Sequence, residues 1–388
     1  MYHRPPAIPT SDPSGNRARK TTFPATTMKE SMNKILNRML SCKLGITLAG
    51  LLAFTVPATR ADTFGTGANA FTIDFVPIGS PGNAADTTGS PNPAGAVGYN
   101  YRMGKYEVSE AMINKFNASQ GLTITKHTRG PNKPATSVTW NQAARFVNWL
   151  NTSSGGFPAY KFTTGGVNDN IALWTPADTL DYNPANPFRS KRASFVLPSA
   201  NEWYKAAYFN PATSTYSDYP NGLDTAPTPV AIGTTPNTAV YNGQGGPADI
   251  TQAGGLSPSG VMGLGGNVSE WDETEVVVTN PNPVSFRAIR GGSWNPSADD
   301  LRSSARFDSP PWASNFDIGF RVASVASEVP APTVAGVRNA DGSLTLTFTG
   351  VLESADTVNG AYTSVPGATS PFNVSPAAAG TKFYRSRN

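Results

Sequence analysis

The sequence predicts an α+β protein poor in regular secondary structure, closed by a small all-β module. Three observations point there. Gly (37) and Pro (34) are abundant among 388 residues while charged residues make up 14%, a balance that favours turn-rich globular structure over a helical bundle or a disordered chain. Ser/Thr-x-x-Glu/Gln boxes at Thr139 and Ser199 each precede an apolar stripe at helical spacing. Period-two alternation marks Phe71, Ile73 and Phe75, and again Leu344, Leu346 and Phe348.

Residues 1–31 are rich in Pro, Ser, Thr and Arg without apolar periodicity and read as a disordered extension. From Met32 the pattern is that of a secretory signal: Lys34, Arg38 and Lys43, then the uncharged run Leu44–Val56, then Val56-Pro57-Ala58 or Thr59-Arg60-Ala61 as a small-residue cleavage site. The run is too short to span a membrane comfortably. An exported protein without stable membrane insertion after cleavage follows, with residues 1–61 as extension and signal, 62–326 as the main domain and 333–388 as the β module.

Within the main domain, Phe71–Ile78 predicts a first strand and Tyr101–Val108 a second. Ser109 is placed to cap a helix carrying Ile113 and Phe116. Thr139 opens a helix with Ala143, Phe146, Val147 and Leu150 on one face, and Ser199 opens another through Trp203, Tyr204, Ala206 and Ala207. Phe157–Arg192 is polar and aromatic and reads as a surface loop. After Ala323, the prolines at 330 and 332 mark a linker. Asn339-Ala340-Asp341-Gly342 then predicts a hairpin turn.

Charge excludes one class of partner. The formal net charge is +4, but nine of the 30 lysines and arginines precede Asp62 against two acids. That leaves 21 basic and 24 acidic residues from Asp62 on, a net of −3, so nothing argues for nucleic acid. Reactive groups are equally sparse. Cys42 is the one cysteine and lies in the segment expected to be removed, and His127 is the one histidine after it. A two-histidine iron site cannot be built from this set. A Ser-His-Asp triad would have to use His127, in a chain without a GxSxG sequence. Glu270, Asp272, Glu273 and Glu275, and Asp299 with Asp300, are acidic clusters from which nothing selects a glycosidase pair.

The densest signal is Gly260–Ala323. It contains Gly265-Gly266-Asn267-Val268-Ser269-Glu270-Trp271, then Arg290-Gly291-Gly292-Ser293-Trp294, then Gly319-Phe320-Arg321-Val322-Ala323. Paired glycines permit sharp turns, tryptophans anchor a loop-rich core, and Arg290 and Arg321 are fork-shaped donors suited to pinning loops. These motifs, in this order and about twenty residues apart, resemble the formylglycine-generating enzyme family, the sulfatase-modifying factors. The Met103-Gly104-Lys105-Tyr106-Glu107-Val108 segment and the two capped helices resemble the same family upstream.

The resemblance implies a C-type-lectin-like fold. It also implies copper held by two cysteines, at the positions of Pro296 and Leu301; neither residue offers a ligand atom, so copper-dependent cysteine oxidation is not expected. It implies one structural calcium, on the carbonyls of Gly266 and Val268 and the carboxylate of Glu270, with Gly263 where the family has an asparagine ligand. The alternative for Glu270 is a buried pair with Arg290 or Arg321. The cleft near Trp294, Arg302, Arg306 and Trp312 is expected to take a peptide or a glycan; the alternative is that these four are core anchors and structural pins. Three functions therefore compete: a non-oxidising binding or scaffolding relative, a superfamily enzyme with other chemistry, and a lectin-like recognition protein.

Overall fold

The computed structural model describes residues 59–89, 92, 94–275, 282–326, 332–375 and 381–387. The expected extension, the apolar run and Cys42 lie outside them, as does most of the expected linker. In chain order the elements begin with β1 (Arg60–Phe64), β2 (Phe71–Ile78) and β3 (Tyr101–Gly104), then α1 (Glu110–Ser119) and α2 (Trp140–Ser153). After β4 (Phe195–Val196) and α3 (Ala200–Tyr208) come four two-residue strands: β5 (Phe209–Asn210), β6 (Thr215–Tyr216), β7 (Thr228–Pro229) and β8 (Thr238–Ala239). The motif-bearing region supplies β9 (Ser269–Trp271), β10 (Arg287–Arg290), β11 (Phe307–Ser309), β12 (Ile318–Gly319) and β13 (Ala323–Val325).

Two sheets carry the domain. One is an antiparallel five-stranded sheet in the order β1-β2-β3-β13-β4; the other is four-stranded, β11-β10-β9-β12, with β12 parallel to β9. Capping residues set the helix starts as the sequence predicts. Ser109 accepts from the Met112 amide, and Thr139 and Ser199 each form a reciprocal box with Gln142 and Glu202. Phe146, Val147 and Leu150 of α2 are fully buried, as are Trp203, Tyr204 and Ala207 of α3.

Two expectations need correcting. The second strand ends at Gly104 instead of Val108, because beyond it the chain bonds irregularly to the GFRVA segment, Val108 N–H to the Phe320 carbonyl (2.9 Å). Phe157–Arg192 is not a surface loop: it buries Tyr160, Ile171, Trp174, Phe188 and Arg189. Lack of a period hid this, since the segment is fixed by side chains and not by a ladder. Arg60 and Ala61, the last two residues of the candidate site Thr59-Arg60-Ala61, belong to β1 and pair with Phe75 and Asp74.

The C-terminal residues form two three-stranded sheets. Their strands are β14 (Val334–Arg338), β15 (Leu344–Phe348), β16 (Val351–Ala355), β17 (Thr363–Ser364), β18 (Phe372–Val374) and β19 (Phe383–Arg387), ordered β14-β15-β18 and β17-β16-β19. The Asn339–Gly342 turn joins the first two, with Gly342 at φ +84°. Leu346, Phe348 and Leu352 form its small core, and Arg385 holds the buried Glu353 at 2.8 Å. No helix among the described residues is long and apolar enough to cross a membrane.

Candidate functional site

The GGNVSEW turn is set by backbone chemistry. Gly266 (φ +77°) and Asn267 (φ +62°) both occupy the left-handed region. Gly266 N–H donates to the Gly291 carbonyl (2.8 Å) of the RGGSW segment, and Asn267 N–H donates to Val240 (2.7 Å). A Cβ at Gly266 would collide with the Val240 carbonyl. Gly266→Ala is therefore expected to cost about 3 kcal/mol in urea unfolding, from left-handed strain plus overpacking. Gly67→Ala, also left-handed but with open space around it, should cost only about 1 kcal/mol. Equal losses would refute the clash.

Behind the turn lies a buried set of charges. Arg321 grips Glu270, Nε to Oε2 at 2.6 Å and Nη2 to Oε1 at 2.5 Å, while Trp203 Nε1 donates to the same Oε2 (2.8 Å). Glu107 accepts from the Asn267 amide (2.8 Å) through one oxygen; the other is buried with no partner. Burial raises Glu107 to about 7, with Arg321 opposing and Glu270 reinforcing. Neither Asp272 oxygen accepts a hydrogen bond, and Arg290 Nε stands 3.5 Å away. Burial pushes Asp272 well above its ordinary value, against the pull of Arg290. Arg290 itself reaches the carbonyls of Ser303 and Ala305.

A second cluster ties the 157–192 segment down. Arg189 binds Glu202 through both terminal nitrogens (2.9 Å each), Glu273 through Nε (2.9 Å) and the Leu197 carbonyl (3.0 Å). Tyr160 and Asn186 also donate to Glu273, and Tyr99 to Glu202. Burial works against the Glu202 anion, but Arg189 outweighs it and holds the carboxyl down at about 2. Glu202 is legible in sequence as the third residue of a capping box. Arg189 carries no sequence signal, and Glu107 and Asp272 lie just past β3 and β9 with nothing in sequence to mark their burial.

The expected calcium carboxylate has protein partners of its own. Glu270, the expected calcium ligand, has both oxygens engaged by Arg321 and Trp203; of its two alternatives, the buried pair is the one formed. A Cβ at Gly263 would meet the Glu107 carboxylate, which would have to shift to admit the family's asparagine. For copper, the described residues contain no thiol. Leu301 is fully buried among Tyr219, Ala239 and Tyr241, and the Tyr208 hydroxyl holds its carbonyl at 3.1 Å. The Pro296 carbonyl accepts from the Asn242 amide (2.9 Å).

Trp294, Arg302 and Trp312 of the four expected ligand-binding residues have different neighbours. Trp294 is buried between Arg129, which stacks on its ring at 4.8 Å, and the exposed Phe316 (5.8 Å). Trp312 is 46% exposed, its carbonyl held by Asn168. Arg302 pairs with Asp218 and Asp299 over the Tyr219 ring, and Arg306 is half-buried. A void of about 20 Å³ lies beside Pro220 and Leu264, and a broader one of about 490 Å³ runs along β1 beside Arg102 and Phe195. None of the four lines either.

Comparison with known proteins gives one family and a set of similar folds. No curated protein matches. The chain is similar to Treponema denticola variable protein 1 (21% identity, TM-score 0.49, covering 69% of this chain and 99% of that one). It is similar to CarF (20%, 0.46, 65% and 98%) and to PvdO from Pseudomonas aeruginosa (15%, 0.44, 69% and 99%). The family model described as the sulfatase-modifying factor enzyme 1-like domain matches residues 71–326. With that match over most of the chain, from β2 to just past the GFRVA motif, this protein belongs to the sulfatase-modifying factor enzyme 1-like domain family.

Proposed function

We propose that this protein is an exported member of its family that does not oxidise cysteine with copper and acts by binding, as a scaffold or recognition protein for a peptide or glycan. The observation that carries the reading is chemical. Copper(I) needs soft ligands, and the positions matched to the family's cysteine pair are Pro296 and Leu301, the latter enclosed by apolar side chains. The buried acids Glu107 and Asp272 line neither described void, so the reading of a different enzyme chemistry draws no support from them.

The exposed rings of Phe316, which packs on the buried Trp294, and of Trp312 are the proposed contact region; exposed aromatic rings suit both peptide side chains and sugar faces. Export rests on the basic, apolar and small-residue succession from Met32. Cleavage after Ala58 leaves β1 whole, so that site is the proposed one. The decisive assay incubates the purified protein with a sulfatase-derived cysteine peptide, copper and dioxygen. No formylglycine is expected by mass spectrometry, and steady conversion would overturn the reading.

A further inference from the structure

Arg321 is fully buried at the meeting point of three segments. Its Nη1 donates to the Gly104 carbonyl at the end of β3 (2.9 Å), and its Nη2 to the Met262 carbonyl ahead of the glycine turn (2.9 Å). With the two oxygens of Glu270 on β9, four oxygens converge on one guanidinium. A carboxylate with turn carbonyls is the donor set that calcium takes. Here a covalently attached cation already fills it.

The charge of Glu270 is already met by Arg321. Trp203 Nε1 occupies the remaining approach to Glu270 Oε2, and a divalent ion there would meet the guanidinium in a medium of low dielectric. Over Gly263, where the resemblance places an asparagine ligand, the Glu107 carboxylate takes the space, and it is held by Asn267. The arginine fork also supplies what a spherical ion cannot, two parallel bonds that fix the carboxylate plane.

We infer that Arg321 is the resident cation of the GGNVSEW loop and that the folded domain neither binds nor requires calcium at Gly266, Val268 and Glu270. Two measurements on the full exported chain test this. Thermal unfolding in excess chelator and in millimolar calcium should agree within about 2 °C, since a bound structural ion would raise the midpoint by more. Terbium, a luminescent stand-in for calcium excited through nearby tryptophans such as Trp203 and Trp271, should give no signal that calcium displaces. A larger rise with calcium, or a displaceable terbium signal abolished by Glu270→Gln, would overturn the inference. A third arm reads the pair itself. Arg321→Met should lower the midpoint sharply, and Arg321→Met with Glu270→Gln should recover part of the loss without calcium. Recovery that appears only with calcium would also overturn it.

Discussion

Replacing Arg189 with methionine should lower stability by about 4 kcal/mol or more, because breaking a buried ion pair leaves uncompensated charge behind. Here one side chain neutralises two acids. Glu202 and Glu273 are both fully buried, and each would lose the guanidinium that binds it. For a chain of this size the midpoint should fall by on the order of 10 °C. The segment 157–192 should loosen first, since Arg189, Tyr160 and Asn186 are what fasten it to Glu273. Proteolysis within that segment would report the loosening. Adding Glu202→Gln and Glu273→Gln should return much of the loss. Lys382→Met, which breaks an exposed pair with Asp356, should have no measurable effect. A loss from Arg189→Met no larger than that control would refute the strap.

Stability should peak on the acid side of neutrality. Glu107 is raised from 4.5 to about 7 in the folded protein. Between those values the folded state binds the extra proton, so stability is complete below about pH 4.5 and is lost as pH rises through 7. The difference is on the order of 3 kcal/mol. Asp272, also raised by burial, acts in the same direction. Glu202 acts oppositely. Lowered to about 2 by Arg189 against the cost of burial, it contributes stability that is present above pH 4.5 and lost as pH falls towards 2. Midpoints measured from pH 3 to 9 should therefore form a dome with its summit near pH 5. Glu107→Gln, which mimics the protonated acid, should flatten the alkaline limb and leave the acid limb in place. A wild-type summit at pH 8 would remove the basis for the buried, proton-bearing Glu107.

Much of the architecture is legible in the sequence. The starts of α1, α2 and α3 follow from caps that each bond within three residues. Phe71–Ile78 follows from alternation, and the module's first hairpin from its turn. The three late motifs identify the family because paired glycines and tryptophans at such spacing are demanding. β1 was hidden because its residues, Arg60–Phe64, adjoin a segment that reads as a processing site. Trp294, Arg302, Arg306 and Trp312 are close in sequence, but Trp294 meets Arg129 and Phe316, and Arg302 meets Asp218 and Tyr219, from distant parts of the chain that no local pattern reveals.

By itself, the sequence determined the local elements, the family, and the absence of any cysteine after residue 42. Only the tertiary structure decided which acid meets which arginine. Arg189 reaches Glu273 across 84 positions and Arg321 reaches Glu270 across 51. Caps and alternating strands are short-range patterns that neighbours enforce on one another. Buried ion pairs between irregular loops obey no period; they are selected by the cost of leaving either charge alone in the core.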